Sequence, residues 1–289
     1  MNRNLLNLAL AIRVAGLSVG AYFAARKKQG AHPPLTPIAA DAVTSASIAW
    51  PGSPEIKLLR AGKNWVLAAP VVASADRFEV LAITNLATAE VQETLTPEGL
   101  NLKDIGLAPP DHRITLNQVA IDFGSTDPLK FTRYVKIGDR VMLIDDPASA
   151  ALDKDYHDLV SKELFAANEE LVKIELPTLS LSKNADGKWI AQPESALATP
   201  VALAKIADGW KQARAMWNEA GGTPPTGPTL KFTFKDGSRR ELVVAGTEPQ
   251  FALYSPATKV RYELSKALAD ELLKLPEAKP AAAPTPTRP

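Results

Sequence analysis

Apolar and polar positions alternate through Ile114 to Ile144, ITLNQVAIDFGSTDPLKFTRYVKIGDRVMLI, with a Gly-Ser-Thr-Asp-Pro corner in the middle. A period of two predicts short strands, and Lys136-Ile137-Gly138-Asp139-Arg140-Val141 predicts a tight hairpin with Gly138 at positive φ. The pattern returns in Leu230 to Leu264, where Gly-Thr-Glu-Pro marks the corner and Lys235-Asp236-Gly237-Ser238 marks a hairpin. Gly124 answers to Gly246, Pro128 to Pro249 and Tyr134 to Tyr254, and upstream Trp65 in AGKNWVLAAP answers to Trp189 in DGKWIAQP. Such near-constant spacing is what a duplicated module with small insertions and deletions leaves behind.

Each copy is preceded by a strand arm and a helix. In the first, Ser47–Trp50 and Ile56–Arg60 predict a hairpin and Trp65-Val66-Leu67 a strand. Ser74-Ala75-Asp76 offers a helix N-cap, and Phe78, Leu81, Ala82, Leu86 and Ala89 supply a helical stripe ended by Thr96-Pro97-Glu98-Gly99. The stretch LKDIGLAPP, closing on Pro109-Pro110, leads into the meander, and a helix from Asp155 to Leu164 closes the module. In the second, Leu171–Leu176 and Leu179–Leu181 form the arm, with Asn184–Gly187 as the turn before Trp189. Thr199-Pro200 predicts an N-cap with proline at the first helical position. Leu203, Ile206, Ala207, Trp210, Ala213 and Trp217 predict the stripe of a helix that Gly221-Gly222 ends, and a last helix spans Ser265–Leu275. The fold class expected is α+β: two duplicated modules of strand arm, helix, antiparallel strand meander and closing helix, over residues 41–168 and 169–275.

Leu5 to Ala25, LLNLALAIRVAGLSVGAYFAA, is long enough to cross a bilayer, although Arg13 near its centre costs about 2.5–3.5 kcal/mol on insertion scales. A cleaved signal peptide is the rival reading, and no small-x-small cleavage site stands out. The expected layout is a membrane-anchoring transmembrane helix in residues 1–28, a proline-rich connector in 29–40 and an unstructured Pro/Ala tail in 276–289. Arg26-Lys27-Lys28 would keep the body in the cytoplasm if the positive-inside rule held. A single signal-anchor ahead of a large domain usually exports that domain, so the body is expected outside the cytoplasm.

Composition removes several chemistries. The 289 residues contain no cysteine, so disulfides, thiolate nucleophiles and cysteine-based metal sites are excluded. The net charge is +1, and five basic residues with no acid precede residue 29, so the body is mildly acidic and has no field to gather nucleic acid. His32, His112 and His157 fall in different segments. Asp153, Asp155, His157 and Asp158, after Asp145-Asp146, could ligate a divalent cation, but they fit helix capping better and lack an EF-hand's glycine and final glutamate. Gly124-Ser125-Thr126-Asp127 and Gly246-Thr247-Glu248 could form an anion nest; their recurrence argues for a turn that the fold itself needs. Trp210 and Trp217 could form an aromatic platform, and their spacing favours core. Lys235, Arg239 and Arg240 are expected to decorate a solvated hairpin. No catalytic residue, cofactor or metal ligand is assigned.

The order of Trp65, Pro70, Ile105-Gly106-Leu107, Pro109, Gly124, Pro128, Tyr134-Val135 and Val141-Met142-Leu143-Ile144, closing on Asp158-Leu159 and Lys162-Glu163-Leu164, resembles the bacterial domain-of-unknown-function 4340 family. The resemblance covers most of residues 45–275 when the second copy is counted. It implies a single-helix membrane anchor and, for some members, association with ABC-type transporters of the gliding-motility kind; it supplies no catalytic residues, and Arg13 departs from the usual clean anchor. The function expected is an accessory or scaffold protein that binds another envelope protein, such as a transporter component. The alternative is a protein that binds a small molecule or glycan between its modules.

Overall fold

The computed structural model describes residues 32–96, 98–146 and 149–275. The anchor segment Leu5–Ala25, the tail from Pro276 and Pro97 of the helix-stop signal lie outside them. The fold is α+β, dominated by antiparallel sheet with short helices. The chain divides into two compact units, one drawn from Met1–Val43 and Thr84–Ala148, the other from Thr44–Ile83 and Ser149–Pro289.

The first unit holds β5 (Val91–Leu95), β6 (His112–Leu116), β7 (Val119–Thr126), β8 (Thr132–Ile137) and β9 (Arg140–Asp145), paired in the order β6-β7-β8-β9-β5. The second holds β1 (Ser45–Ala49), β2 (Ile56–Ala61), β3 (Asn64–Ala69) and β4 (Ala73–Ser74), in the order β4-β3-β2-β1. It also holds β10 (Leu171–Glu175), β11 (Ser180–Lys183), β12 (Trp189–Gln192), β13 (Trp217–Ala220), β14 (Thr229–Phe234), β15 (Arg239–Gly246), β16 (Phe251–Ser255) and β17 (Val260–Leu264). These eight pair in the order β12-β11-β10-β14-β15-β16-β17-β13.

The duplication is written in these orders. β3-β2-β1 recurs as β12-β11-β10, and β6-β7-β8-β9-β5 recurs as β14-β15-β16-β17-β13. Trp65 opposite Arg60 is repeated by Trp189 opposite Lys183. A register shift breaks β7–β8 between Phe123 and Thr126, and another breaks β15–β16 between Val244 and Gly246, so the glycine corner is a bulge in both copies. The last pairs before the shifts are Phe123 with Val135 and Val244 with Leu253. Counted from there, Tyr134 is equivalent to Ala252 rather than Tyr254. A two-residue slip keeps every side chain on its face, so the hydrophobic pattern tolerates it.

The helices differ more from expectation. α1 (Arg77–Asn85) starts at Asp76, whose Oδ1 accepts the Phe78 N–H at 2.9 Å. Its buried stripe, continued past the helix, is Val80, Ile83, Thr84 and Ala87; of the expected stripe Leu86 is buried, whereas Phe78 and Leu81 are exposed. Two interleaved stripes satisfy the same helical period here, and the one containing the β-branched residues faces inward. A short helix α2 (Ser149–Leu152) precedes the expected helix Asp155–Leu164, which is reduced to α3 (Tyr156–Leu159), capped at its N-terminus by a capping box of Asp155 and Asp158. α4 (Pro200–Gln212) is capped by Thr199, whose hydroxyl accepts the Ala202 N–H at 3.2 Å. It ends before Trp217, which belongs to β13 rather than to the helical stripe, so Gly221-Gly222 ends a strand. α5 (Ala267–Leu273) closes the second unit, and the buried Trp210 indole of α4 donates to the Leu272 carbonyl at 2.9 Å.

The proline-rich stretch 29–40 is not a free connector where it is described. Leu35 and Thr36 are buried, the Leu35 N–H donates to the Ala89 carbonyl at 2.7 Å, and the Thr36 N–H donates to Ala87 at 3.0 Å. The compact units also depart from the segments 41–168 and 169–275. Asp76 N–H donates to Leu159, Ser161 N–H to Ser74 and Ala215 N–H to Lys162, all at 2.8 Å. The first two bonds stay within residues 41–168, and the third, with the Arg214–Asp76 pair at 3.4 Å, ties that segment to residues 169–275.

Candidate functional site

Within the second unit, the first strand arm, the start of α1, residues 160–168 and the β15–β17 ladder enclose a groove of about 720 Å³. That volume falls in the range of small-molecule sites. Trp65, Phe78 and Phe165 give it aromatic walls, and Ser255, Thr258 and Tyr262 line it with hydroxyls on residues that are nearly inaccessible. The Thr258 hydroxyl is buried with no geometric hydrogen-bond partner, although it lies close enough to Tyr262 to act on its titration. Burial pushes the Tyr262 phenol above its ordinary pKa, only partly opposed by Thr258 and by the nearby Arg240 charge, so it stays neutral and able to donate.

Asp76, Glu163, Arg214 and Arg240 on the walls are paired. Asp76, 3% exposed, accepts from Arg214 at 3.4 Å while it caps α1, and Arg214 also reaches Glu163 at 3.3 Å. Lys162 lies 3.1 Å from Glu79 and 4.0 Å from Asp76. Arg240 donates to the Leu164 carbonyl and to Glu169, both at 2.6 Å, and stacks 5.3 Å from the ring centres of Phe165 and Phe234. Arg240 is therefore a wall residue of the groove, not part of a solvated hairpin. Its place was legible in the alternation: Arg240 shares a strand face with the buried Leu242 and Val244. Lys235, by contrast, sits at the exposed turn and pairs with Glu170 at 2.8 Å.

Among the described residues no histidine lines the groove, and the lining carboxylates Asp76 and Glu163 are both engaged by Arg214. Such walls can hold a ligand by stacking, by hydroxyl hydrogen bonds and by guanidinium contact. They offer no carboxylate or imidazole placed against a hydroxyl to make it a nucleophile.

The other sequence candidates are not brought here. Among the described residues no group of three or more His, Asp or Glu is placed to hold a metal ion. Asp155 and Asp158 cap α3, and His157 lies 3.7 Å from Asp158. In the first unit Thr126 donates to Asp146 at 2.7 Å, Arg133 to the other oxygen of Asp146 at 2.9 Å, and Asp127 accepts the Leu129 N–H at 2.8 Å. The Gly124–Asp127 hydrogen-bonding groups are thus spent on bracing the corner. Trp210 is fully buried between Phe232 and Phe251, at 4.9 and 6.4 Å, while Trp217 is 40% exposed on β13, so they form no shared platform. The Asp76–Arg214 pair escaped the sequence reading because nothing near Arg214 marks it and the two are 138 positions apart.

A family profile described as a domain of unknown function, DUF4340, matches residues 65–216, which is more than half of the chain. The chain belongs to the DUF4340 family. No curated protein and no solved structure matches it. The matched stretch of this DUF4340 protein runs from Trp65 on one groove wall to just past Arg214 on another.

Proposed function

We propose that this DUF4340 protein is a non-catalytic accessory of the bacterial envelope, tethered to the inner membrane by Leu5–Ala25 with its body in the periplasm. It binds a segment of another envelope protein, such as a transporter subunit, at the groove of the second unit. The observation that carries this reading is the groove mouth. Val72 and Phe78 are 81% and 61% exposed there, beside arginines, and a rim of apolar anchors set among charges is a protein-docking surface by composition. A photocrosslinking side chain at Phe78 in intact cells is expected to trap one envelope protein reproducibly, with less product when Arg214 is replaced by Ala. Equal trapping from Ile190, exposed on β12, would argue against the groove.

The buried hydroxyls of Ser255, Thr258 and Tyr262 favour a second reading, in which the groove holds a small polar molecule or glycan. A ligand-induced thermal shift that disappears in Thr258→Val would support it, and loss of crosslinking on ligand addition would join the two.

A further inference from the structure

The corner between β7 and β8 puts two large apolar side chains into solvent: Leu129 is 87% exposed and Phe131 is 76% exposed. This is not a slack loop. Asp127 accepts the N–H groups of Leu129 and Lys130 at 2.8 and 3.2 Å, its own N–H donates to Thr132, and the Phe131 N–H donates to the Asp127 carbonyl. Lys130 is held by Glu93 of β5 at 2.7 Å. Phe131 sits at φ +55, a left-handed conformation that is strained for an aromatic residue and free for glycine. With 76% of it in solvent, the phenyl ring adds little to the core.

The corner's place in the unit says what the ring is for. Thr132 of β8 and Gln92 of β5 are both level with Asp145 of β9, one through the ladder register and the other through a 3.1 Å hydrogen bond. The corner beyond Thr132 therefore leaves the sheet at the end where β5 begins. The Val91 N–H donates to the Pro33 carbonyl at 2.9 Å, so the chain coming from Leu5–Ala25 joins the unit at that same end. With strand residues rising about 3.3 Å each, Lys130 on Glu93 stands on the order of 10 Å from Pro33. The seven residues from Arg26 to His32 can span at most about 25 Å. The duplicate corner in the second unit, Gly246-Thr247-Glu248-Pro249-Gln250, exposes no large hydrophobic side chain, only Pro249 among polar residues, and its aromatic neighbour Phe251 is buried.

We propose that Leu129 and Phe131 are a second membrane contact: they enter the interfacial layer of the bilayer that holds the amino-terminal segment and set the first unit against the lipid surface. The proposal rests on reading Leu5–Ala25 as a membrane anchor. An exposed apolar pair can bury itself in the lipid interface, with Lys130 already neutralised by Glu93, and a short tether removes most of the cost of finding the surface.

The chain has no cysteine, so single cysteines introduced by Leu129→Cys, Phe131→Cys, Thr247→Cys and Val201→Cys can each carry one environment-sensitive fluorophore. The full-length protein is reconstituted into phosphatidylethanolamine–phosphatidylglycerol vesicles with and without a lipid-borne nitroxide quencher. Labels at 129 and 131 are expected to shift to shorter wavelength and lose most of their emission to the quencher, while labels at 247 and 201 do neither. Labels at 129 and 131 that stay unquenched in protein that floats with the vesicles overturn the proposal, as does a blue shift without lipid quenching, which means contact with protein. Protein that fails to float overturns the anchor reading itself, and the flotation assay separates that outcome from the others.

Discussion

The two corners are built on the same bulge and have been put to opposite uses. In the first unit the bulge is followed by Leu129 and Phe131, which point out, and the core behind it is largely aliphatic, with Ile114, Leu116, Ile121, Val135 and Ile144 fully buried. In the second unit the corner is polar, and the aromatic residue just after it turns inward to join Phe232, Phe165 and Trp210. Even the close contact that both copies need is arranged in reverse. In the first, a Cβ on Gly124 would strike the Ile105 carbonyl oxygen; in the second, a Cβ on Gly227 would strike the Val244 carbonyl oxygen, and Gly246 has nothing nearer than 3.8 Å. The contact between loop and strand is what duplication kept, not the position of the glycine that permits it.

The aromatic core of the second unit makes the largest break. Trp210→Ala removes its central ring and leaves the Leu272 carbonyl without its donor, and is expected to cost about 3–5 kcal/mol in urea denaturation. A loss under about 1 kcal/mol would mean the aromatic packing does not carry the unit.

The glycines come next. Gly124→Ala and Gly227→Ala should each cost about 1–3 kcal/mol because backbone, not a flexible side chain, has to move. Gly246→Ala should be neutral or stabilising by about 0.4–1 kcal/mol, since its backbone lies outside the left-handed region. Equal losses at Gly124 and Gly246 would restore the simple sequence pairing of the two.

Phe131→Gly sharpens the contrast from the other side. Relief of the left-handed conformation is expected to leave thermal stability unchanged or raise it by up to about 1 kcal/mol. A clear loss would assign the phenyl ring a packing role in the first unit.

The smallest effect is electrostatic. Lys235 at 2.8 Å and Lys183 at 3.0 Å hold the exposed Glu170 carboxylate down to about 2 from a reference value of 4.5. Because the folded value is the lower one, any stabilisation from this cluster is complete above pH 4.5 and fades as pH falls towards 2. Carbon-detected NMR titration of Glu170 should find the depressed midpoint, and Lys235→Met should raise it; a midpoint already near 4.5 in the unaltered protein would show that solvent screens the cluster.

Much of this fold was legible along the chain. The Thr199-Pro200 cap, the Gly138 and Gly237 hairpins and the Trp65/Trp189 strands follow from local turn and cap chemistry, which needs no knowledge of distant residues. What failed was phase and reach. A stripe through Phe78 and Leu81 is as periodic as one through Val80 and Ile83, and only the tertiary neighbours choose between them. Trp217 continued the stripe of α4 by spacing alone, and no residue before it announces the strand. The groove was almost invisible for the same reason: Asp76, Arg214 and Tyr262 meet through packing of segments far apart in sequence, and of its charged walls only Arg240 carried a local signal.

The second unit is assembled from two stretches, Thr44–Ile83 and Ser149–Pro289, with the larger part of the first unit lying between them along the chain. During synthesis or export, Asp76 and Lys162 therefore emerge long before Arg214 and Ala215, the residues of the second stretch that bond to them. A fragment ending at residue 168, which has the outline of a clean single module, would keep Asp76, Lys162 and Glu163 and discard Arg214 and Ala215, which bond to them. Such a fragment is expected to be recovered as aggregate or bound to chaperones, which pelleting and pull-down of the 1–168 fragment would check.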